Sequence, residues 1–219
     1  MIKIRWYGHA AFHITTNQST RIIIDPYESG AFNNALTYGP IKDRADIVIT
    51  SHHHADHNYT KDIQGAYALI HQSGSYEIRD VRIETISTFH DAAKGKDRGD
   101  NLISVIKADN MFLAHLGDLG HGLDAGLLKQ LEKVDILFLP VGGLFTIDAF
   151  VATEVMNALH PSIAIPMHYK TEKCGFPIAP LEDFTSGKEN VRVLKSFEVS
   201  IDKETLPKET EILVLDHSL

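Results

Sequence analysis

A single cysteine, Cys174, stands in a chain of 219 residues. One thiol excludes an intrachain disulfide and fits a reducing compartment. It also excludes a closed zinc site of the cysteine-rich structural kind. No apolar run approaches the length of a membrane span, and the start MIKIRWYGHAAF passes into strand-like alternation with no long apolar h-region. The expectation is a cytoplasmic protein with no membrane partner. Basic residues are in deficit, the formal net charge being −8 with histidines neutral. Such a balance argues against nucleic acid as a partner, where clustered Lys/Arg would be needed. It does not oppose an anionic small substrate, because a metal site reverses the local field. Familiar catalytic signatures are missing too. There is no Gly-x-Ser-x-Gly, Gly142-Gly143 lacks the Gly-Lys-Ser/Thr of a phosphate loop, and Cys174 has no adjacent base. No Pro/Gly/Ser-rich linker divides the chain, so one domain over 1–219 is expected, with homo-oligomerisation left open.

What the chain has in excess is histidine, 13 in all. Their setting follows from the periodicity. Ile2, Ile4 and Trp6 alternate with polar residues, Phe12–Thr15 follows Gly8, and Arg21–Asp25 is a β-branched run stopped by Pro26. Residues 26–44 read as a long loop with a short helical turn, the kind of connection that is often functional. Asp46–Thr50 is a buried-strand run, and Tyr59–Ile63 is expected as a short helix. Further strands are expected at Ala66–His71, Tyr76–Arg79, Val81–Phe89, Leu102–Ala108 and Met111–Leu116, the last two joined by a tight turn at Asp109-Asn110. Leu123–Glu132 and Ile147–Leu159 have helical spacing. Ile136–Pro140 and Ile163–Pro166 are buried strands, and the tail offers strands at Arg192–Phe197 and Glu211–Leu215. Strands thus dominate the first half, and strand–helix alternation the second.

The apolar strand Asp46–Thr50 runs straight into Ser51-His52-His53-His54-Ala55-Asp56-His57. In extended backbone alternate side chains share a side, so His52, His54 and Asp56 project together and His53 and Ala55 turn away. His57 then aims beside Asp56. Two imidazoles on one metal, with a carboxylate and an imidazole on its neighbour, is the natural division. Imidazole and carboxylate suit zinc, and also manganese or iron. Nitrogen and oxygen donors favour an open hydrolytic site, whose remaining donors should come from other strand ends. His90, Asp118 and His168 each follow a buried strand directly. A polar loop of unlinked histidines is the competing reading, and the register after an apolar strand counts against it.

His52-x-His54-x-Asp56-His57, then His90, Gly117-Asp118 and His168, in that order, resemble the metallo-β-lactamase-fold hydrolases. Trp6-Tyr7-Gly8-His9-Ala10, Ile24-Asp25-Pro26, Arg98-Gly99-Asp100-Asn101, Leu139-Pro140-Val141-Gly142-Gly143 and Pro166-Met167-His168-Tyr169 resemble the branch that holds the ascorbate-phosphate lactonase-like proteins. The resemblance covers about residues 4 to 170. It implies an α/β fold, a four-layer αββα sandwich, with two metals between the upper edges of the sheets. One metal would take His52, His54 and His90, and the other Asp56, His57 and His168, with Asp118 bridging. Histidine at position 54, where the flavin-linked di-iron branch carries glutamate, implies hydrolysis rather than oxygen reduction.

Two divalent ions about 3.5–4 Å apart can hold one hydroxide as nucleophile. Asp56 would act first as a ligand and then in orienting that hydroxide, and Asp118 as the bridge. Asp25 is the leading candidate for fixing an imidazole from behind, with Asp91 second. His9, His115 and His121 are candidate pocket residues, and Lys170 a candidate contact for an anionic group. Tyr7 and Tyr169 are expected to pack. The function expected is a metal-dependent hydrolase of a small lactone or phosphoester. The alternatives are a phosphodiesterase or nuclease of the same fold, which the acidic chain disfavours, and a non-catalytic metal-binding interaction protein, which a full set of ligands disfavours. Fold alone does not name the substrate.

Overall fold

The computed structural model describes residues 1–131 and 133–219. Two sheets form. The first holds β1 (Ile2–Gly8), β2 (Ala11–Thr15), β3 (Arg21–Ile24), β4 (Ile47–Ile49), β5 (Ala68–Ile70) and β13 (Glu198–Ile201), in the order β13-β1-β2-β3-β4-β5. The second holds β6 (Gly74–Ile78), β7 (Val81–Phe89), β8 (Asp100–Ala108), β9 (Met111–His115), β10 (Ile136–Pro140), β11 (Ile163–Met167), β12 (Val191–Val193) and β14 (Glu211–Val214), in the order β12-β14-β11-β10-β9-β8-β7-β6. The period-2 alternation decides the layering. Ile4, Trp6, Phe12, Ile14, Ile22, Ile24, Ile47 and Ile49 face the second sheet and share its core. Tyr7, Ala11, Ile23 and Val48 point the other way, into a smaller cluster with Tyr27, Leu36, Tyr38 and Ile41 from the 26–44 loop.

The sandwich therefore has four layers, as expected, with one outer layer of unequal make. Over the second sheet lies the helix Ala149–Leu159, whose buried face is Ala152, Val155, Met156 and Leu159. Over the first sheet, the long loop and its helical turn Ala31–Asn34 do the covering. Strands β10 and β11 are buried along their whole length, as parallel strands packed on both faces must be. The β8–β9 hairpin closes at Asp109-Asn110, both at positive φ, the backbone that a two-residue turn requires.

Three expectations are corrected. Tyr59–Ile63 forms no helix, because its flanking amides bond to the long loop: Tyr59 N–H donates to the Pro26 carbonyl and Gln64 N–H to the Asp43 carbonyl. Arg192–Phe197 is not one strand. The chain leaves β12 at Val193 and crosses to the first sheet, where β13 pairs antiparallel with β1. The Leu123–Glu132 helix occupies Ala125–Gln130, capped by the Asp124 carboxylate on Leu127 N–H, with Glu132 outside the described residues. A short helix at Leu181–Thr185 has no counterpart in the sequence reading.

Topology sets the site. Strands β1, β3 and β4 run parallel to one another in the first sheet, and β7, β9, β10 and β11 in the second. His9, Asp25 and His52 follow the first set, and His90, Asp118 and His168 the second. All six therefore leave their sheets at C-terminal strand ends.

Candidate metal centre

The residues of segment 51–57 do not stay extended, contrary to expectation. His57 and Asn58 both donate backbone N–H to the His54 carbonyl, so the chain curls immediately after Ser51. The curl serves the same end. His52, Asp56 and His57 turn inward and are buried, His54 lies at the surface of the cluster, and His53 faces away beside His71. Three sets of donor atoms result, the atoms of each lying within 4.8 Å of one another: His52, His54 and His90; His9, Asp56, His57 and His168; and His52, His57 and Asp118. The third set joins the other two.

Asp118 is the hub. Its Oδ2 lies 3.2 Å from His57 Nε2, 3.2 Å from His90 Nε2, 3.3 Å from His168 Nε2 and 3.9 Å from His52 Nε2. The Nε2 atoms of His52, His57 and His168, together with Oδ1 of Asp56 and of Asp118, are buried and have no hydrogen-bond partner. Unpaired buried polar atoms are costly and rare, and here they converge. Such a donor set fits divalent cations held by imidazole and carboxylate.

The residues behind the donors explain their aim. Asp25 accepts from Ser51 N–H at 2.7 Å, from Ser51 Oγ at 2.7 Å and from His57 Nδ1 at 2.9 Å. Ser51 Oγ also lies 2.9 Å from His52 Nδ1. With the Nδ1 atoms protonated, the Nε2 lone pairs of both rings face the cluster, so one carboxylate orients a donor in each of two sets. His9 sets Asp56: its Nε2 lies 3.1 Å from Asp56 Oδ2, leaving Oδ1 unpaired. The His9 backbone is clamped in turn, its carbonyl accepting from Trp6 Nε1 and His168 N–H at 3.1 Å each.

His115 and Asn101 hold the loop of Asp118. His115 Nε2 donates to the Ala10 carbonyl at 2.9 Å and its Nδ1 accepts from Gly117 N–H. Asn101 accepts from Asp118 N–H and donates to Thr88 Oγ1 and the Leu116 carbonyl, each at 2.9 Å. Gly117, at φ +55, leaves no room for a Cβ against the Asn101 side chain. Gly142 is likewise required, since a Cβ there would strike the His168 carbonyl.

Other candidates fall elsewhere. Asp91 is not behind a donor. It accepts from the amides of Ala93, Gly95, Asp97 and Arg98, and so organises the loop after His90. His121 lines a separate cavity with Phe89 and Leu127. Lys170 is exposed, and its Nζ donates to the Phe176 carbonyl at 2.8 Å. Tyr7 and Tyr169 are buried packing residues. Ser51 and Asn101 carried no role in the sequence reading. Their one visible signal is a polar residue at an apolar strand's edge, which burial obliges to find partners.

The electrostatics agree with a site built for cations. Burial opposes charge on Asp118, yet the imidazoles of His168 and His57 hold its carboxyl well below the usual range. Burial likewise opposes charge on Asp56, and His57 and His9 outweigh it. Burial disfavours the His57 imidazolium, but Asp118, Asp56 and Asp25 raise it well above its ordinary value. Burial, with cationic neighbours adding, pushes His9 down to about 4 and His52 to about 3.

A pH dependence follows for the metal-free protein. Lowered histidines bind protons in the unfolded chain and not in the folded one. Below pH ~6.5 they therefore cost stability, progressively down to their folded values. Lowered carboxylates add a further loss as pH falls below ~4. His57, being raised, contributes in the opposite sense: its stabilisation is complete below ~6.5 and fades at higher pH. His9, His13, His52, His54 and His115 are all lowered, against one raised, so the net slope follows them. The melting temperature of the metal-free protein should rise between pH 4 and 6.5. A flat profile in a thermal scan would show that these rings titrate normally.

Two sheets that bring histidines and aspartates from parallel strand ends to one edge define the class of proteins able to hold metal ions between two sheets. Comparison with known proteins narrows it. The beta-lactamase superfamily domain matches residues 3–168. A UPF0173 metal-dependent hydrolase from Thermococcus onnurineus is 31% identical over 196 residues, covering 78% of this chain and 86% of the relative. Another from Thermoplasma acidophilum is 28% identical over 193 residues, covering 78% and 84%. A solved structure from Thermotoga maritima, described as of the metallo-beta-lactamase superfamily, superposes with a TM-score of 0.83 at 29% identity and covers 100% of both chains. The chain belongs to the beta-lactamase superfamily and, within it, to the metal-dependent hydrolase family that these relatives represent. Among the described residues no helix is long and apolar enough to cross a membrane.

Proposed function

We propose that the protein hydrolyses a small lactone or phosphoester with two divalent metal ions, zinc being the best fit to the donors. The observation that carries this reading is Asp118, whose carboxylate stands between the two three- and four-residue donor sets. His52, His54 and His90 would hold one ion, and Asp56, His57 and His168 the other, with Asp118 shared. Bound there, the pair would lower the pKa of a water held between them and polarise the bond under attack.

The chain's own residues do the rest. Asp25 and Ser51 fix the tautomers of His57 and His52, so that neither ring needs to reorient during turnover. His9 holds Asp56 with one oxygen turned to the site. His54, the exposed donor, marks the side from which substrate enters. A cavity of about 580 Å³ borders His52 and His54 and extends outward past His53, His71, Ser87 and Arg98. That volume lies in the range of small-molecule sites.

The test is metal content with a substrate panel. Purified under metal-replete conditions, the protein should carry about two ions per chain, and should turn over at least one of a set of lactones, phosphomonoesters and phosphodiesters. Less than one ion per chain would sink the binuclear reading. Chelation should also lower the melting temperature, because ions that bind only the folded state stabilise it by about 2.7 kcal/mol when present at 100 times their dissociation constant. Restoring zinc should restore the melt. A thermal profile indifferent to chelator would show that the cluster holds no ion.

A further inference from the structure

Beside the donors lie an arginine and an aromatic wall that the hydrolytic reading does not use. Arg98 ends the loop that Asp91 organises through four backbone amides, so its position is fixed. Its guanidinium stacks 5.5 Å from the ring centroid of Phe145. Among the described residues no carboxylate pairs with it, although the chain is strongly acidic. It also lines the cavity shared with His52 and His54. A half-buried arginine with open donors, facing a metal site, is a ready anion contact.

The wall begins where Arg98 ends. The Phe145 ring lies 5.6 Å from Phe176, which lies 5.4 Å from Phe32 and 5.9 Å from the ring of His9. The His9 ring lies 4.1 Å from that of His168, tilted by 43°. The three phenylalanines come from loops after β10, β11 and β3, the same edge that delivers the donors. Phe176 is held by the Lys170 bond to its carbonyl. Phe32 sits at φ +53, a costly backbone for a bulky residue, and its side chain is 50% exposed. Arg98, Phe145, Phe176 and the half-exposed Phe32 thus form one chain of contacts at this edge, which His9 joins at Phe176.

We infer that the substrate is an amphipathic anion, its acidic group at Arg98 and its apolar body along Phe145, Phe176 and Phe32. This rests on the hydrolytic reading of the metal centre, and binding and turnover separate the two. The probe is a series of n-alkylphosphonates, methyl to octyl, titrated calorimetrically into the zinc-loaded protein. In the parent, affinity should rise two- to fourfold per added methylene, the range for partial to full burial of a CH₂, until the chain reaches Phe32. Phe176→Ala should flatten that slope. Phe32→Ala, at a half-exposed position, should bring the plateau to a shorter chain. Arg98→Gln should weaken every member about tenfold, as loss of a charge-assisted hydrogen bond does, and leave n-alkanols of equal length unaffected. Affinity independent of chain length in the parent, or an unchanged slope in both phenylalanine variants, overturns the inference. An Arg98→Gln variant that binds the series as tightly as the parent overturns its anionic half. Chain-length dependence without turnover of any ester or lactone would instead defeat the hydrolytic reading and leave a binding site for amphipathic anions.

Discussion

Asp118→Asn should reduce the bound metal to at most about one ion per chain and cut turnover by more than about 100-fold. Groups that merely orient a ligand from behind are worth about 10–100-fold in affinity or activity. Asp118 is closer than that, at 3.2–3.3 Å from three imidazole nitrogens that belong to different donor sets. The amide keeps the shape and the Asn101 bond to the backbone, which tests the charge rather than the fold. An asparagine places one neutral oxygen, or an N–H donor, where a buried anion now faces three nitrogens. Metal content by elemental analysis is the first readout and hydrolysis of the best panel substrate the second. A variant with the parent's metal content and rate would show that Asp118 is not shared between the sets.

The second large effect is expected at Asp25→Ala, and it is on stability. Asp25 is fully buried and satisfies Ser51 twice and His57 once. Burial alone would raise its carboxyl, but the bond from His57 and the nearby imidazoles hold it below the ordinary range. Removing one partner of a buried charged pair costs about 3–5 kcal/mol, because the remaining groups are left unpaired. Here those groups are a histidine ring, a backbone amide and a hydroxyl. Urea denaturation of the metal-free protein measures the loss directly. In the metal-loaded protein, affinity should also fall about 10–100-fold, since neither His57 nor His52 keeps its enforced tautomer. A loss under about 1 kcal/mol would mean that water replaces the carboxylate without penalty.

The two variants sit at different depths of legibility. Asp118 could be read from the chain because Gly117-Asp118 follows an apolar strand and matches a family pattern in order. Asp25 could be read as the leading candidate for bracing an imidazole, but not which imidazole or through which partners. Its three bonds reach residues 26 and 32 positions away, and no spacing encodes them. His9 is a similar case. It enters the cluster because β1 runs parallel to β3 through the intervening β2, a fact about pairing rather than about composition. Lys170 is a different case. A lysine near a predicted ligand invites an anion, yet its amine reaches a carbonyl in its own loop. The cation that does face the cavity, Arg98, lies in a segment that the residues alone describe only as polar.

By itself the sequence determined most of the strands and their buried faces, and it placed candidate donors at strand ends, because each of these depends on local order. An apolar run of period 2 must bury a face, and a donor at its end must emerge there. What the donors do together was decided by tertiary structure. The curl after Ser51 replaces the extended backbone that alternation predicts, and still turns His53 away. The hub at Asp118, the Asp25–Ser51 brace and the aromatic wall all bring together residues from separate strands. Their contacts exist only once the strands are laid parallel and the sheets are stacked, since only then do distant strand ends share an edge.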